Sequence, residues 1–142
     1  NSDHQMLLLD RISEMIKDGE PIRLMIIDSL TAHFRAEFSG RGMLADRQQR
    51  LNRYLHNLMR IAETNNLAVY VTNQVMSDPA QLFGDPTKAI GGNIVGHACT
   101  YRMYLRRGKK DSRVCKLIDS PDLPDNETVF MIETSGLRDI DI

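Results

Sequence analysis

The stretch that decides the fold is "IRLMIID", residues 22–28, a short and almost uniformly apolar run that ends in an acid. This pattern is typical of a central parallel strand covered on both faces. A second run of the same kind, "LAVYVTNQ" at 67–74, predicts a second buried strand. Between the two, apolar residues recur at helical spacing from Leu44 to Asn65, opposite a face rich in Arg, Gln and Asn. Strand, helix and strand in this order predict a right-handed parallel crossover.

Antiparallel strands are predicted in the second half of the chain. "TYRMYLRRG" (100–108) and "RVCKLID" (113–119) alternate and are joined by the polar turn "KKDS", and "ETVFMIET" (127–134) predicts a further strand. An amphipathic helix that ends at Gly19 precedes the first strand. We therefore predict an α/β fold, with a central, mostly parallel sheet flanked by helices and antiparallel strands at the C-terminal end.

Composition narrows the class of protein. The chain has 142 residues, enough for one domain with its own core. Its net charge of −1 provides no general basic field, so a nucleic-acid partner would have to be held by a local patch. No apolar run approaches the roughly 18 residues that span a membrane. Cys99 and Cys115 have neither metal-site nor redox spacing, which predicts reduced thiols in an intracellular protein.

Asp28 ends the first predicted strand, and in open α/β sheets ligands bind outside the carboxyl ends of the strands. An acid after several aliphatic residues is the pattern of a Walker B strand, whose Asp holds Mg²⁺, often through water. A strand-ending Asp that caps the next turn has the same pattern. Asn73 and Gln74 end the second strand, where two amides could sense a phosphate or cap a turn. The residues alone leave both questions open.

The segment "QLFGDPTKAIGGNIVGHA", residues 81–98, is spaced by glycines and has little alternation of polar and apolar residues. Connections of about this length are usually functional or disordered. Its apolar anchors argue against a simple linker and predict a loop that becomes ordered on a ligand. No G-x-x-x-x-G-K-[ST] phosphate-binding loop occurs in the sequence, so this chain alone is not expected to cradle a triphosphate.

Four segments together resemble the RecA-like ATPase core of the RadA family, the archaeal strand-exchange recombinases. In chain order they are "LMIIDSLTAHFRAEFSGRGMLADRQQRL", "LAVYVTNQV", "FGDPTKAIGGNIVGHA" and "LIDSPDLPDNE". The resemblance covers essentially the whole chain, and Ala89 departs from a proline that is frequent in the family. It implies that residues 1–142 are the C-terminal portion of a single RecA-like ATPase domain. The Walker A half and the N-terminal domain would then precede Asn1.

The resemblance implies two DNA-binding loops, one containing "SGRG" (39–42) and one spanning residues 75–93. The residues that it places at DNA are Arg35, Arg41, Arg47, Gly91, Gly92 and Asn93. The arginines would contact phosphates, and the backbone amides at the glycines would hold an anion, which glycines let approach closely. Without the resemblance, the arginines are a solvated basic face and the two glycines a helix-entry turn.

The resemblance also implies a nucleotide site. Asp28, followed by Ser29, would serve Mg²⁺, while Gln74 and His97 would lie near the terminal phosphate and link DNA occupancy to hydrolysis. "DSPDLP" (119–124) is similar to the family's ATP cap over the neighbouring protomer's nucleotide. The residues assigned to this cap are Asp119, Ser120, Pro121 and Pro124, with Pro124 on the adenine and Asp119 near a monovalent cation. A structural histidine and a proline-punctuated loop are the plainer alternatives.

The first helix carries Leu8, Ile12 and Met15, which in the family belong to a pocket for a neighbour's Phe-x-x-Ala motif. Ordinary core packing is the alternative.

The implied parent is an archaeal, cytoplasmic, nucleoid-associated DNA-dependent ATPase that uses ATP and Mg²⁺. It would form filaments on single-stranded DNA, pair them with double-stranded DNA, exchange strands in recombination and repair, and meet mediator proteins but no membrane. The alternatives are a non-catalytic interaction fragment, a complementing half of a split recombinase, or another RecA-fold ATPase such as a helicase.

Overall fold

The structure is a computed structural model that describes residues 2–32, 41–77, 87–90 and 92–140. The chain divides into two compact units, with the boundary between Ala98 and Cys99. The first unit contains α1 (Ser2–Lys17), β1 (Leu24–Ile27), a 3₁₀ turn (Arg41–Met43), α2 (Leu44–Asn65), β2 (Ala68–Val71), β3 (Val75–Ser77), β4 (Thr87–Ala89) and α3 (Gly92–Ala98). The second unit contains β5 (Arg102–Arg107), β6 (Arg113–Asp119), β7 (Asn126–Glu133) and β8 (Gly136–Asp139).

The parallel pair predicted from the two apolar runs is confirmed. β1 and β2 pair in parallel, in a register that runs from Leu24 opposite Ala68 to Ile27 opposite Val71. The amphipathic helix α2 lies between them in the chain and buries one face, formed by Leu51, Tyr54, Leu55, Leu58 and Ile61. The spacing of three and four residues within this set places all five side chains on one stripe of the helix.

The prediction that β1 is covered on both faces is wrong for the part of the chain that the structure describes. Met25 is only 6% exposed, whereas Leu24 and Ile26 on the other face are 54% and 62% exposed. On the neighbouring strand, Tyr70 is 46% exposed. Side chains alternate along a strand, so one face of this two-stranded sheet packs while the other stays open.

The second unit is an antiparallel sheet in the order β5-β6-β7-β8. Its first three strands match the predicted ones, whereas β8, which is short and fully exposed, was not predicted. The turn between β5 and β6 is closed by the Ser112 N–H, which donates to the Lys109 carbonyl at 3.1 Å. Lys110 and Asp111 have φ angles of 51° and 61°. Positive φ at both central residues is the geometry that matches the twist of a tight hairpin.

A short ladder lies partly within the glycine-spaced segment. Val75–Ser77 pairs antiparallel with Thr87–Ala89, and residues 78–86 between them lie outside the described residues. The backbone on either side of residues 78–86 is therefore paired. No described helix is both long enough and apolar enough to cross a membrane.

We expect Asp111→Gly to stabilise the protein and Gly136→Ala to destabilise it. Asp111 holds a left-handed φ of 61°, and Gly136 has a φ of 116°, where a Cβ would be strained. Each exchange should change the free energy of unfolding by about 1 kcal/mol, in opposite directions. The midpoint of thermal unfolding measures both effects. A lower midpoint for Asp111→Gly would contradict the turn geometry.

Candidate functional site

The carboxyl ends of β1 and β2 place Asp28 beside Thr72. The Thr72 hydroxyl donates to Asp28 Oδ1 at 2.6 Å. The backbone continues the pairing past the strands, because Thr72 N–H donates to the Ile27 carbonyl at 3.0 Å and Leu30 N–H donates to the Thr72 carbonyl at 2.8 Å. Asp28 itself is exposed, and its peptide bond to Ser29 is cis. The Asp28 carboxylate is therefore accessible, and a hydrogen bond to one of its two oxygens holds it at the strand ends.

Ser29 supplies a second oxygen at this strand end. Its hydroxyl oxygen is buried and has no hydrogen-bond partner among the described residues. Mg²⁺ takes oxygen ligands and is usually held by one or two carboxylates together with waters and phosphate oxygens. The described residues contain no group of three or more His, Cys, Asp or Glu side chains placed for a metal ion. Asp28 and Ser29 are therefore oxygen donors of the kind that Mg²⁺ takes, and most ligands of such a cation would have to come from water and phosphate.

Asn73 joins the two strand ends to Ile90, within the glycine-spaced segment. Its Oδ1 accepts a hydrogen bond from the Thr31 hydroxyl at 2.6 Å, and its Nδ2 donates to the Ile90 carbonyl, also at 2.6 Å. Thr31 and Ile90 are 2% and 7% exposed. Both partners are distant in sequence, so the Asn73 side chain bridges two other segments, and the choice between a phosphate sensor and a turn cap stays open. Thr31 and Thr72 were missed, although hydroxyls directly after two apolar runs are a signal in "DSLT" and "VTNQ".

Gln74 directly precedes β3. Its side chain is exposed, and its carbonyl accepts the Ile90 N–H at 2.9 Å. Among the described residues, no hydrogen bond joins Asp28 to Gln74 or to His97. The predicted sensors therefore share the first unit with Asp28 without touching it through a hydrogen bond.

His97 lies in a cleft between α2 and α3. The cleft has a volume of about 470 Å³ and is lined by Gln48, Gln49, Asn52, Leu55, His56, Met59, Asn93, Ile94, His97 and Ala98. Two residues assigned from the sequence, Asn93 and His97, thus share one wall. His56 faces the same cleft from α2, which sequence spacing alone did not indicate.

The residues assigned to DNA lie around the two helix starts. Arg41 opens the 3₁₀ turn that leads into α2, and Arg47 is half-buried in the first turns of that helix. Gly92 opens α3, directly before the exposed Asn93. Arg35 and Gly91 lie outside the described residues.

The segment assigned to the ATP cap, residues 119–124 and here called the cap loop, follows β6 directly. Arg102 donates to Asp119 Oδ2 from Nε at 3.1 Å and from Nη2 at 3.0 Å. The Ser120 hydroxyl donates to Asp122 Oδ1 at 3.2 Å and accepts the Leu123 N–H at 2.9 Å. The two prolines, Pro121 and Pro124, are exposed. The loop is therefore fixed by side chains while its prolines face solvent.

Tyr101 holds the same loop from the start of β5. Its hydroxyl donates to Asp122 Oδ1 at 3.1 Å. This hydrogen bond, together with the negative charge of Asp122, raises the pKa of Tyr101 above its ordinary value of 10.0. The phenol therefore keeps its proton, and its role as donor, throughout the neutral range.

On α1, the residues assigned to a partner pocket lie at the surface. Leu8 and Met15 are 48% and 37% exposed, and Ile12 is half-buried. Leu9, at 3% exposed, is the core residue of this helix. Ordinary core packing in this unit therefore does not account for Leu8 and Met15.

The sequence model of the Rad51 family matches residues 1–140. The chain belongs to the Rad51 family. This confirms the RecA-like resemblance and the α/β class.

Relatives named "DNA repair and recombination protein RadA" are similar over nearly the whole chain. The protein from Methanocorpusculum labreanum is 54% identical over 97% of this chain and 43% of its own length. Those from Haloquadratum walsbyi and Methanoculleus marisnigri are 55% identical over 97% of this chain, and 41% and 44% of their own lengths. These methanogens and halophiles are archaea, in agreement with the resemblance to an archaeal recombinase family. The chain spans about two-fifths of the length of these relatives.

We expect Asn73→Asp to weaken the attachment of the glycine-spaced segment at Ile90. The exchange keeps an acceptor for Thr31 but sets a carboxylate oxygen against the Ile90 carbonyl, where Nδ2 now donates at 2.6 Å. Loss of this part-buried hydrogen bond should cost about 1–3 kcal/mol. Amide hydrogen exchange measures it at Ile90, whose N–H should exchange faster than in the unsubstituted protein.

Thr31→Val is the matched control, because it removes only the hydrogen bond to Asn73 Oδ1. It should leave exchange at Ile90 closer to that of the unsubstituted protein. Unchanged exchange at Ile90 in Asn73→Asp would show that Asn73 does not hold this segment.

Proposed function

We propose that this chain is the C-terminal portion of the ATPase domain of a recombinase that forms ATP-dependent filaments on single-stranded DNA. The complete protein would pair these filaments with double-stranded DNA and exchange strands, as a DNA-dependent ATPase acting on the nucleoid in the cytoplasm. One observation carries the proposal: a Rad51-family match over residues 1–140 coincides with an exposed acid at the end of a parallel strand. The RadA names of the relatives, which include DNA repair and recombination, support it.

The nucleotide would be ATP with Mg²⁺, bound at the end of β1. Asp28 would hold the cation through water, with the Ser29 hydroxyl beside it, and the rest of the complete protein would supply the phosphate-binding loop. The bound Mg²⁺ would neutralise charge on the phosphate oxygens during hydrolysis. Within this chain, Thr72 orients the carboxylate through its 2.6 Å hydrogen bond. Gln74 and His97 would sense the terminal phosphate.

DNA would be held by the two assigned loops. Arg41 and Arg47, with Arg35, would contact phosphates, and the amides around Gly91, Gly92 and Asn93 would add an anion site. Since the chain carries a net charge of only −1, such binding depends on local placement rather than overall charge. Asn73 Nδ2 donates to the Ile90 carbonyl and the Ile90 N–H donates to the Gln74 carbonyl, and these hydrogen bonds support a coupling between the second loop and the ends of β1 and β2.

The cap loop would act on the neighbouring protomer. Asp119, Ser120, Pro121 and Pro124 would cover a nucleotide bound there, with a monovalent cation near Asp119. The exposure of both prolines and the 46% exposure of the Asp119 side chain support this, because the groups are open to a ligand. A contact of this kind joins unlike surfaces, and such contacts repeat into helical filaments.

The exposed face of α1 supports a partner site. Leu8, Ile12 and Met15 would take an apolar Phe-x-x-Ala motif from a neighbouring protomer or a mediator protein. A second candidate function, the complementing half of a split recombinase, is favoured by the open face of β1 and β2, where Ile26 is 62% exposed. Such a face invites another part of the same protein or a separate chain.

In the full-length protein, we expect Arg41→Ala to weaken binding of single-stranded DNA and strand exchange while leaving ATP binding nearly intact. The loss of one phosphate contact should flatten the log–log dependence of DNA affinity on salt by about 0.7. Fluorescence anisotropy of a labelled oligonucleotide, titrated at several salt concentrations, measures this slope.

Arg60→Ala is the matched control for Arg41→Ala. Arg60 is an exposed arginine of α2, roughly 24 Å along the helix axis from Leu44, and its loss should leave the slope unchanged. An unchanged slope and normal strand exchange in Arg41→Ala would refute a role for Arg41 at DNA.

A further inference from the structure

Two consecutive residues at the start of β5 each hold one acidic residue of the cap loop. Arg102 binds Asp119, the first residue of the loop, and Tyr101 binds Asp122, its fourth residue. Arg102 opens β5 and Tyr101 directly precedes it, so neither donor is adjacent to the loop in sequence. The loop is thus held at two points from outside itself, a constraint that the pattern of the loop sequence does not reveal.

We propose that Arg102 and Tyr101 are positioning residues of the ATP cap, with Arg102 acting through the Asp119 carboxylate and Tyr101 through Asp122. The proposal rests on the proposed function, in which the cap loop covers a nucleotide. It adds two residues that the sequence did not assign to the nucleotide site.

The geometry of the Arg102 contact favours positioning. Both of its hydrogen bonds, at 3.1 and 3.0 Å, end on the same oxygen, Oδ2. The guanidinium therefore holds the position of Oδ2 and does not engage Oδ1 of the Asp119 carboxylate. The strand register shifts between Arg102 and Met103, so the backbone ladder is irregular at this point. The Arg102–Asp119 pair therefore orders a point at which the backbone pairing of the sheet is irregular.

The energetics of the contact also favour positioning over stability. The side chains of Arg102 and Asp119 are 35% and 46% exposed. Ion pairs this exposed are screened by water and contribute little to folding. We therefore expect the loss of Arg102 to change the placement of the cap loop rather than the stability of the sheet.

Tyr101 sets the other end of the loop. Asp122 Oδ1 accepts both the Tyr101 hydroxyl at 3.1 Å and the Ser120 hydroxyl at 3.2 Å. Ser120 in turn accepts the Leu123 N–H at 2.9 Å, which closes the turn directly before Pro124. The phenol thus orders the residues that carry the second proline of the cap.

The same strand offers a matched control. Arg106, also in β5, pairs with Glu127 at 3.5 Å, and these side chains are 44% and 51% exposed. The pair resembles Arg102–Asp119 in chemistry and exposure but joins β5 to β7 and does not touch the cap loop. An effect that comes from general loss of a surface ion pair would appear equally in Arg106→Ala.

The test is steady-state ATP hydrolysis by the full-length protein on single-stranded DNA. We expect Arg102→Ala to raise the KM for ATP by about tenfold, the low end of the cost of losing a partner that orients a ligand-binding carboxylate. The kcat should change less, and Arg106→Ala should match the unsubstituted protein. Arg102→Lys, which keeps the charge but offers no fork, should restore part of the affinity. Tyr101→Phe should raise the KM about threefold, as expected for one exposed hydrogen bond.

The double variant Arg102→Ala with Asp119→Ala identifies the route. If Arg102 acts through Asp119, the double variant should have the KM of Asp119→Ala alone, within about twofold. Multiplied effects, or a normal KM in both Arg102→Ala and Arg102→Lys, would overturn the proposal. A normal KM in Asp119→Ala would instead refute the cap assignment in the proposed function, and with it the role of Arg102.

Discussion

The Asn73 side chain is the contact on which the arrangement of the first unit depends. It accepts from Thr31 after β1 and donates to Ile90 within the glycine-spaced segment, both at 2.6 Å. Three separate parts of the chain therefore meet at one amide. Because the partners are buried, an unpaired group here would carry the full cost of desolvation. The end of β1, which Asp28 follows, and Ile90 in the glycine-spaced segment are therefore tied to the same side chain, and under the proposed function this link would connect DNA occupancy to the nucleotide.

Much of this frame was predictable because it is periodic. The parallel pair, the crossover helix α2 and the first three strands of the second unit follow from apolar spacing, which burial imposes on the sequence. The acid at Asp28 was found because it interrupts an apolar run. Its choice between cation ligand and turn cap could not be made from the sequence, since both use the same residue at the same place.

What could not be predicted depends on contacts between distant positions. Asn73 with Ile90, and Arg102 with Asp119, are separated by 17 residues in each case and follow no period. The prediction that β1 is covered on both faces was wrong for a related reason. An apolar run reports that a strand needs cover on both faces, but it does not report which part of the protein supplies that cover. The assignments at Arg35 and Gly91 lie outside the described residues and stay predictions.

The chain carries parts of two kinds of site. The first unit presents Asp28 at a strand end, and the second presents the cap loop, ordered by Arg102 and Tyr101. Under the proposed function these parts serve different nucleotides, because the cap loop of one protomer covers the site of the next. Hydrolysis would then require filament formation, because no protomer completes its own nucleotide site.

The sharing of the site between protomers is tested most directly by mixing two inactive full-length proteins, one with Asp28→Ala and one with Asp119→Ala and Pro124→Ala. DNA-stimulated phosphate release is measured against mixing ratio, with mixed filaments verified by microscopy. At equal amounts, about a quarter of random head-to-tail interfaces join an intact Asp28 to an intact cap, so activity should partly return. Activity that stays at background in verified mixed filaments would contradict a shared site, because a cap that acts within its own chain gives no rescue.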